Sequence, residues 1–169
     1  MRQTVTLIAL TALLLPTAVL AARERVEVLQ NQLEHPWALA FLPDDRGILI
    51  TLRGGELKLW QRDKGLSSAI PGVPQVWANG QGGLLDVALA PDFAQSRRVW
   101  LSYAEGGDED KAGTAVGYGR LSEDLQRLEN FQVVFRQQPK LSTGNHFGGR
   151  LAFDGRGHLF IGLGENNQR

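Results

Sequence analysis

The chain has 169 residues, with 18 basic and 18 acidic side chains and so no net charge at neutral pH. That balance offers no basic stripe for nucleic acid, which is not expected as a partner. Cysteine is absent, which excludes disulfides, thiolate metal sites and a cysteine nucleophile, and the length suits one domain. The first predicted element is a leader over residues 1–21. Arg2 gives a positive start, residues 5–20 are mostly apolar and uncharged, and Val19-Leu20-Ala21 suits cleavage ahead of Arg23, Glu24 and Arg25. This is the pattern of a secretory signal peptide. A membrane anchor is the alternative, but Pro16 interrupts the apolar run, which lies at the lower limit of the ~20 residues that span a bilayer. Cleavage is expected, leaving residues 22–169 in the periplasm with no stable membrane span and a charge near −1, since only Arg2 is lost. Peripheral contact with the outer membrane stays open.

Beyond the leader, helical periodicity is absent. Short apolar alternation is broken by Gly, Pro and Asp, which reads as strands and turns. Residues 37–43, 47–52 and 55–60 are three predicted strands, the last two joined at Arg53-Gly54. Residues 84–93, 98–103, 115–121 and 131–135 form a second set, and 149–154 and 158–163 begin a third around Gly155-Arg156-Gly157. Each set opens as apolar strand, Pro or Asp turn, apolar strand. Ala40 and Ala88 are 48 residues apart, Ala88 and Ala152 64 apart. A polar, glycine-rich insertion over 105–113 is expected to account for the longer interval. A period of about 40–50 residues with about four strands per unit is the signature of a β-propeller. A sandwich has similar strand spacing, but here the sets share internal order. The predicted fold is all-β, a propeller of which two to three blades are present.

In a propeller, loops preceding the first strand of successive blades converge on one mouth of the channel. His35, Gly80-Gln81-Gly82-Gly83 and Asn145-His146 all occupy such loops. His146 is the leading catalytic candidate, because an imidazole titrates near neutrality and the surrounding glycines permit close backbone approach to a ligand. A lone histidine is more often structural; Asn145 and the glycines at 144, 148 and 149 favour a site. Gln81, framed by glycines, reads as an amide presented to a ligand, able to donate and accept. Glu165 closes the second strand of the third set and is expected at the same mouth, orienting His146 or raising its basicity. His35 is expected to pack on Trp37, His158 to be structural, and Arg150 to pair with a carboxylate between blades. Asp44-Asp45 and Asp108-Glu109-Asp110 lack the spacing of a calcium loop and read as solvated turns. No nucleophile elbow, Walker loop, dinucleotide fingerprint or His-Glu-x-x-His helix occurs, so no common nucleophile, nucleotide or zinc chemistry is indicated, and no metal ligand is assigned.

Three stretches carry a family resemblance: Gly80-Gln81-Gly82-Gly83-Leu84-Leu85-Asp86-Val87, Gly144-Asn145-His146-Phe147-Gly148-Gly149-Arg150-Leu151 and Gly162-Leu163-Gly164-Glu165-Asn166-Asn167-Gln168-Arg169, with His35-Pro36-Trp37-Ala38 as an early marker. They resemble the soluble pyrroloquinoline quinone (PQQ) dependent sugar dehydrogenases of the glucose/sorbosone dehydrogenase family, in particular the periplasmic aldose sugar dehydrogenase branch. The resemblance implies a six-bladed propeller binding PQQ and calcium at the channel mouth. It implies that His146 is the general base toward the sugar C1 hydroxyl while C1 hydride passes to the quinone, giving the lactone. It also implies that Gln81 contacts PQQ and that Glu165 stands where an acid lies behind the histidine. Asn145 replaces an Asp of the glucose branch, which points to a broader aldose preference.

The chain ends abruptly after Asn167-Gln168-Arg169, and an incomplete reading frame is expected, with the calcium ligands and PQQ-holding basic residues beyond it and these residues inactive alone. Two other readings fit a propeller. A calcium-dependent lactonase would need a central cluster of Asp, Asn and Glu. A non-catalytic binder of sugars or envelope partners would not depend on His146.

Overall fold

The computed structural model describes residues 25–167, so the segment read as a signal peptide lies outside the described residues. The first sheet is a meander of β1 (Pro36–Phe41), β2 (Ile48–Leu52), β3 (Glu56–Gln61) and β4 (Gly65–Leu66), in chain order. A second four-stranded meander follows, of β5 (Leu84–Leu89), β6 (Arg98–Gly106), β7 (Ala112–Leu121) and β8 (Leu128–Arg136). β9 (Gly148–Phe153) and β10 (Leu159–Leu163) pair as a third, two-stranded sheet. These are two complete propeller blades and the two inner strands of a third.

Strand burial follows from the stacking. In β3, Leu57 and Leu59 are buried while Glu56 faces solvent. Four consecutive residues of β5, Leu84 to Val87, are buried, because β1 and β2 cover one face and β9 the other. That explains an apolar run rather than an alternation. The main core lies between the first two blades, around Leu49, Leu59, Leu84, Leu101 and Tyr103. Ala38 and Ala40 of β1 pack against it, while Trp37, Leu39 and Phe41 on the opposite face are 47%, 55% and 69% exposed.

The expected insertion over 105–113 is corrected. Glu105 pairs with Gly113 and Gly106 with Ala112 in one long hairpin, so only 107–111 form the turn. The wider repeat interval comes instead from the long strands β6, β7 and β8, of 9, 10 and 9 residues, and from the loop 137–147. Glu105 reads as loop because it is charged, but its carboxylate is satisfied on the sheet by Arg136 at 3.0 Å and Lys140 at 2.8 Å. Burial acts to raise that carboxyl, and the hydrogen bonds from Lys140 and Arg136 overcome it and hold it below the usual carboxylate range. The two-residue β4 and the helical turn Phe93–Ser96 are too short to show in the sequence pattern.

Successive blades are joined by the same device. In the first, Thr51 Oγ1 accepts the Ala38 N–H at 3.1 Å and donates to Leu85 O of the second blade at 2.6 Å. In the second, Ser102 Oγ accepts the Asp86 N–H at 2.9 Å and donates to Gly149 O of the third at 2.5 Å. Asp86 adds a carboxylate to this seam. It is 5% exposed, and its Oδ1 accepts from Val87 N–H at 2.9 Å and Oδ2 from Leu151 N–H at 2.7 Å. Arg150 Nε lies 3.7 Å away as the expected interblade partner, but its side chain is 81% exposed. Removing a buried acceptor leaves its donors unpaired. Asp86→Ala is therefore expected to cost about 1–3 kcal/mol in denaturant unfolding of the complete protein. The exposed partner should matter less, with Arg150→Ala costing under about 1 kcal/mol.

Candidate active site

Two loops meet at one end of the stack. The loop before β5 carries Gln81, and the loop before β9 carries His146. Gln81 N–H donates to Gly144 O at 2.9 Å, and His146 N–H donates to the side-chain Oε1 of Gln81 at 2.9 Å. Gly80 has φ 55°, and a Cβ there would stand 2.4 Å from Gly144 O, so only glycine permits the approach. The Arg53 guanidinium, at the start of the β2–β3 turn, donates to Gly80 O.

The His146 loop is stapled along its length. Gln137 N–H donates to Thr114 O at 2.8 Å, and Ala112 and Leu141 exchange two 2.9 Å hydrogen bonds. Thr114 Oγ1 donates to Phe147 O at 2.8 Å. Trp77 supports the loop from beneath, with its ring 6.0 Å from that of Phe147 and its indole N–H donated to Asp110 Oδ1 at 3.1 Å. Phe147 is buried at 3% exposure, which leaves its neighbour His146 to face outward with φ 51°.

Glu165, just past β10, brings Oε1 within 2.5 Å of His146 Nδ1. The two side chains are 43% and 42% exposed, so the pair stands at an open surface. The hydrogen bond from His146 holds the Glu165 carboxyl below the usual carboxylate range. Stability from this group is present above its ordinary pKa and is lost as pH falls through the lowered one. Across the neutral range Glu165 is therefore an anion and can only accept. Nδ1 must carry the proton, so the neutral form of the imidazole has its lone pair at Nε2. The arrangement can take a proton at Nε2 and balance the imidazolium against an adjacent carboxylate.

Of the residues singled out in the sequence, Gln81, His146 and Glu165 are thus brought together. Asn145 adjoins them on the same loop but makes no hydrogen bond among the described residues. His35 is exposed, and its carbonyl accepts Arg53 N–H at 3.0 Å. His158 pairs locally with Asp154 at 2.7 Å across the β9–β10 turn. The two acidic runs form short exposed turns, Pro43–Asp45 and Asp108–Asp110. Among the described residues no group of three or more histidine and acidic side chains is placed to hold a metal, and no helix is long and apolar enough to cross a membrane.

Sequence reasoning missed Arg53, Trp77 and Asp86. Asp86 had a signal, being a lone acid inside an apolar core strand. Arg53 and Trp77 had none, because their roles depend on contacts between loops far apart in sequence.

The family model described as glucose/sorbosone dehydrogenase matches residues 33–169. The chain belongs to this family. Among relatives of this glucose/sorbosone dehydrogenase chain, the aldose sugar dehydrogenase YliI of Escherichia coli (strain K12) is 74% identical over 148 residues, covering 88% of the chain and 40% of that protein. The crystal structure of the soluble aldose sugar dehydrogenase from Escherichia coli, in the apo-form, superposes with a TM-score of 0.83 at 76% identity, covering 85% of the chain and 41% of that one. A PQQ-bound aldose sugar dehydrogenase from Streptomyces coelicolor gives 0.68 at 27% identity, covering 85% and 42%. The chain thus spans about two fifths of the length of the relatives it matches.

Proposed function

We propose that these residues belong to a PQQ-dependent dehydrogenase that oxidises aldose sugars at C1 to the lactone. The observation that carries this reading is the His146–Glu165 pair at 2.5 Å, set on the open end of the blade stack beside Gln81. An alcohol carbon that gives up hydride must also lose its hydroxyl proton, and a neutral imidazole is suited to take it near pH 7. His146 Nε2 accepts that proton. Glu165 fixes the tautomer and stabilises the imidazolium, as a carboxylate behind a catalytic histidine does.

The site offers one donor suited to PQQ. Gln81 Oε1 is committed to His146, while its Nε2 makes no hydrogen bond among the described residues and is free to donate to an oxygen of the cofactor. PQQ, when bound, supplies the two-electron acceptor that no side chain provides. Calcium belongs to the same proposal, with ligands outside the described residues. Two and a half blades in 40% of a relative's length scale to about six blades. The exposed faces of β1 and of β10, where Phe160 is 61% exposed, suit the stacking of further blades, and residues 25–167 alone are not expected to turn over. Export to the periplasm through residues 1–21 completes the reading. The test is reconstitution of the complete protein with PQQ and calcium. Aldose-dependent dye reduction that requires PQQ is the result expected, and an equal rate without PQQ would contradict it.

A further inference from the structure

We propose that Gln81 is a positioning residue for His146, acting through the hydrogen bond from His146 N–H to Gln81 Oε1 at 2.9 Å. This rests on the reading of His146 as the base and adds a second role for Gln81, distinct from contact with a ligand.

The argument begins with the backbone. His146 is held at φ 51°, a left-handed conformation that a side chain other than glycine adopts at a cost. Such a residue keeps its pose only if its surroundings fix it. On the carbonyl side, His146 O accepts Asn166 N–H at 3.4 Å, a long bond. On the ring side, Glu165 fixes Nδ1. On the amide side the partner is the Gln81 oxygen, from the preceding blade. Gln81 is itself anchored through its own N–H to Gly144 O, and its neighbour Gly80 is held by Arg53. The glutamine thus closes a ring of contacts around the histidine loop. Loss of Oε1 would free the His146 amide and let the imidazole tilt away from Glu165. The clamp also orients Gln81: with one lone pair of Oε1 engaged by the His146 amide, the Nε2 group is the end of the side chain left to donate.

Two substitutions separate the roles. Gln81→Glu keeps an acceptor oxygen for the His146 N–H and loses the amide donor. Gln81→Met keeps the length and loses both. Gln81 is exposed, so neither change should alter the thermal midpoint appreciably. In the complete cofactor-free protein, nuclear magnetic resonance of 15N-labelled histidine should show the downfield Nδ1–H signal of the His146–Glu165 bond retained in Gln81→Glu and broadened or lost in Gln81→Met. That readout stands whether or not His146 is the base. In the reconstituted enzyme at saturating PQQ, Gln81→Met should lower kcat by about 10- to 100-fold with little change in sugar KM, as for a base displaced by about 1 Å. Gln81→Glu should recover most of that loss while binding PQQ more weakly than the parent. If the Nδ1–H signal is retained in both variants, or lost in both, the positioning role is overturned. The same follows if Gln81→Glu is as impaired in kcat as Gln81→Met, since contact with a ligand would then explain both. Failure of the base reading would show separately, as retention of kcat in His146→Ala.

Discussion

Replacement of His146 by alanine in the complete protein is expected to lower kcat for aldose oxidation by about 10²–10⁴-fold, the range for removal of a positioned general base. The cause is specific. The imidazole is the group whose Nε2 lone pair is set free by the anionic Glu165 at Nδ1, and alanine leaves the sugar hydroxyl proton no acceptor in that place. PQQ affinity should hardly change, because the proposed cofactor contact is the Gln81 amide. Stability should be little affected, because the ring is 43% exposed. Steady-state kinetics at saturating PQQ, with a separate PQQ titration, check both halves. A non-catalytic propeller gives the opposite result, with function indifferent to His146.

Gly164→Ala is expected to produce the second-largest effect, a fall in kcat of about 10²-fold, the scale for a misplacement of about 1 Å in a catalytic constellation. A Cβ at position 164 would stand 1.8 Å from His146 O and 2.5 Å from its carbonyl carbon. Those atoms are backbone and cannot rotate aside, so the two loops must part. Gly164 N–H also donates to Phe147 O at 3.1 Å, and Asn166 N–H to His146 O at 3.4 Å, and both bonds would stretch. The substitution therefore separates Glu165 from His146 without touching either side chain. Both kcat and the unfolding midpoint should fall, whereas His146→Ala lowers kcat alone. Kinetics and thermal unfolding measured on both variants distinguish displacement from deletion.

Much of this arrangement was legible in the sequence because it repeats. The glycine-framed loops before the first strand of each blade identified Gln81 and His146, and repetition carried the inference that they share one mouth. Glu165 was legible as a carboxylate at a strand end facing the same way. The boundaries of the second blade were less legible. β6 and β7 run on through Glu105, Gly106 and Gly113, residues that signal a turn by composition but are held in the ladder by register and by the Arg136 and Lys140 ion pairs. The hydroxyl seam was illegible, since Thr51 and Ser102 look like any strand residue until the next blade's carbonyls are placed beside them. The same holds for Arg53 and Trp77, whose loop contacts have no local pattern. In the third blade the position that corresponds to Thr51 and Ser102 is Gly162, opposite a bulge in β9, and it carries no hydroxyl.

The most direct measurement is the reconstitution of the complete protein with PQQ and calcium, read as product rather than dye. A mixture of aldose, protein and PQQ should yield the C1 lactone, with no product when PQQ is omitted and a large loss when His146 is alanine. Lactone formation at equal rates without PQQ, or unchanged turnover without the His146 imidazole, would contradict the account.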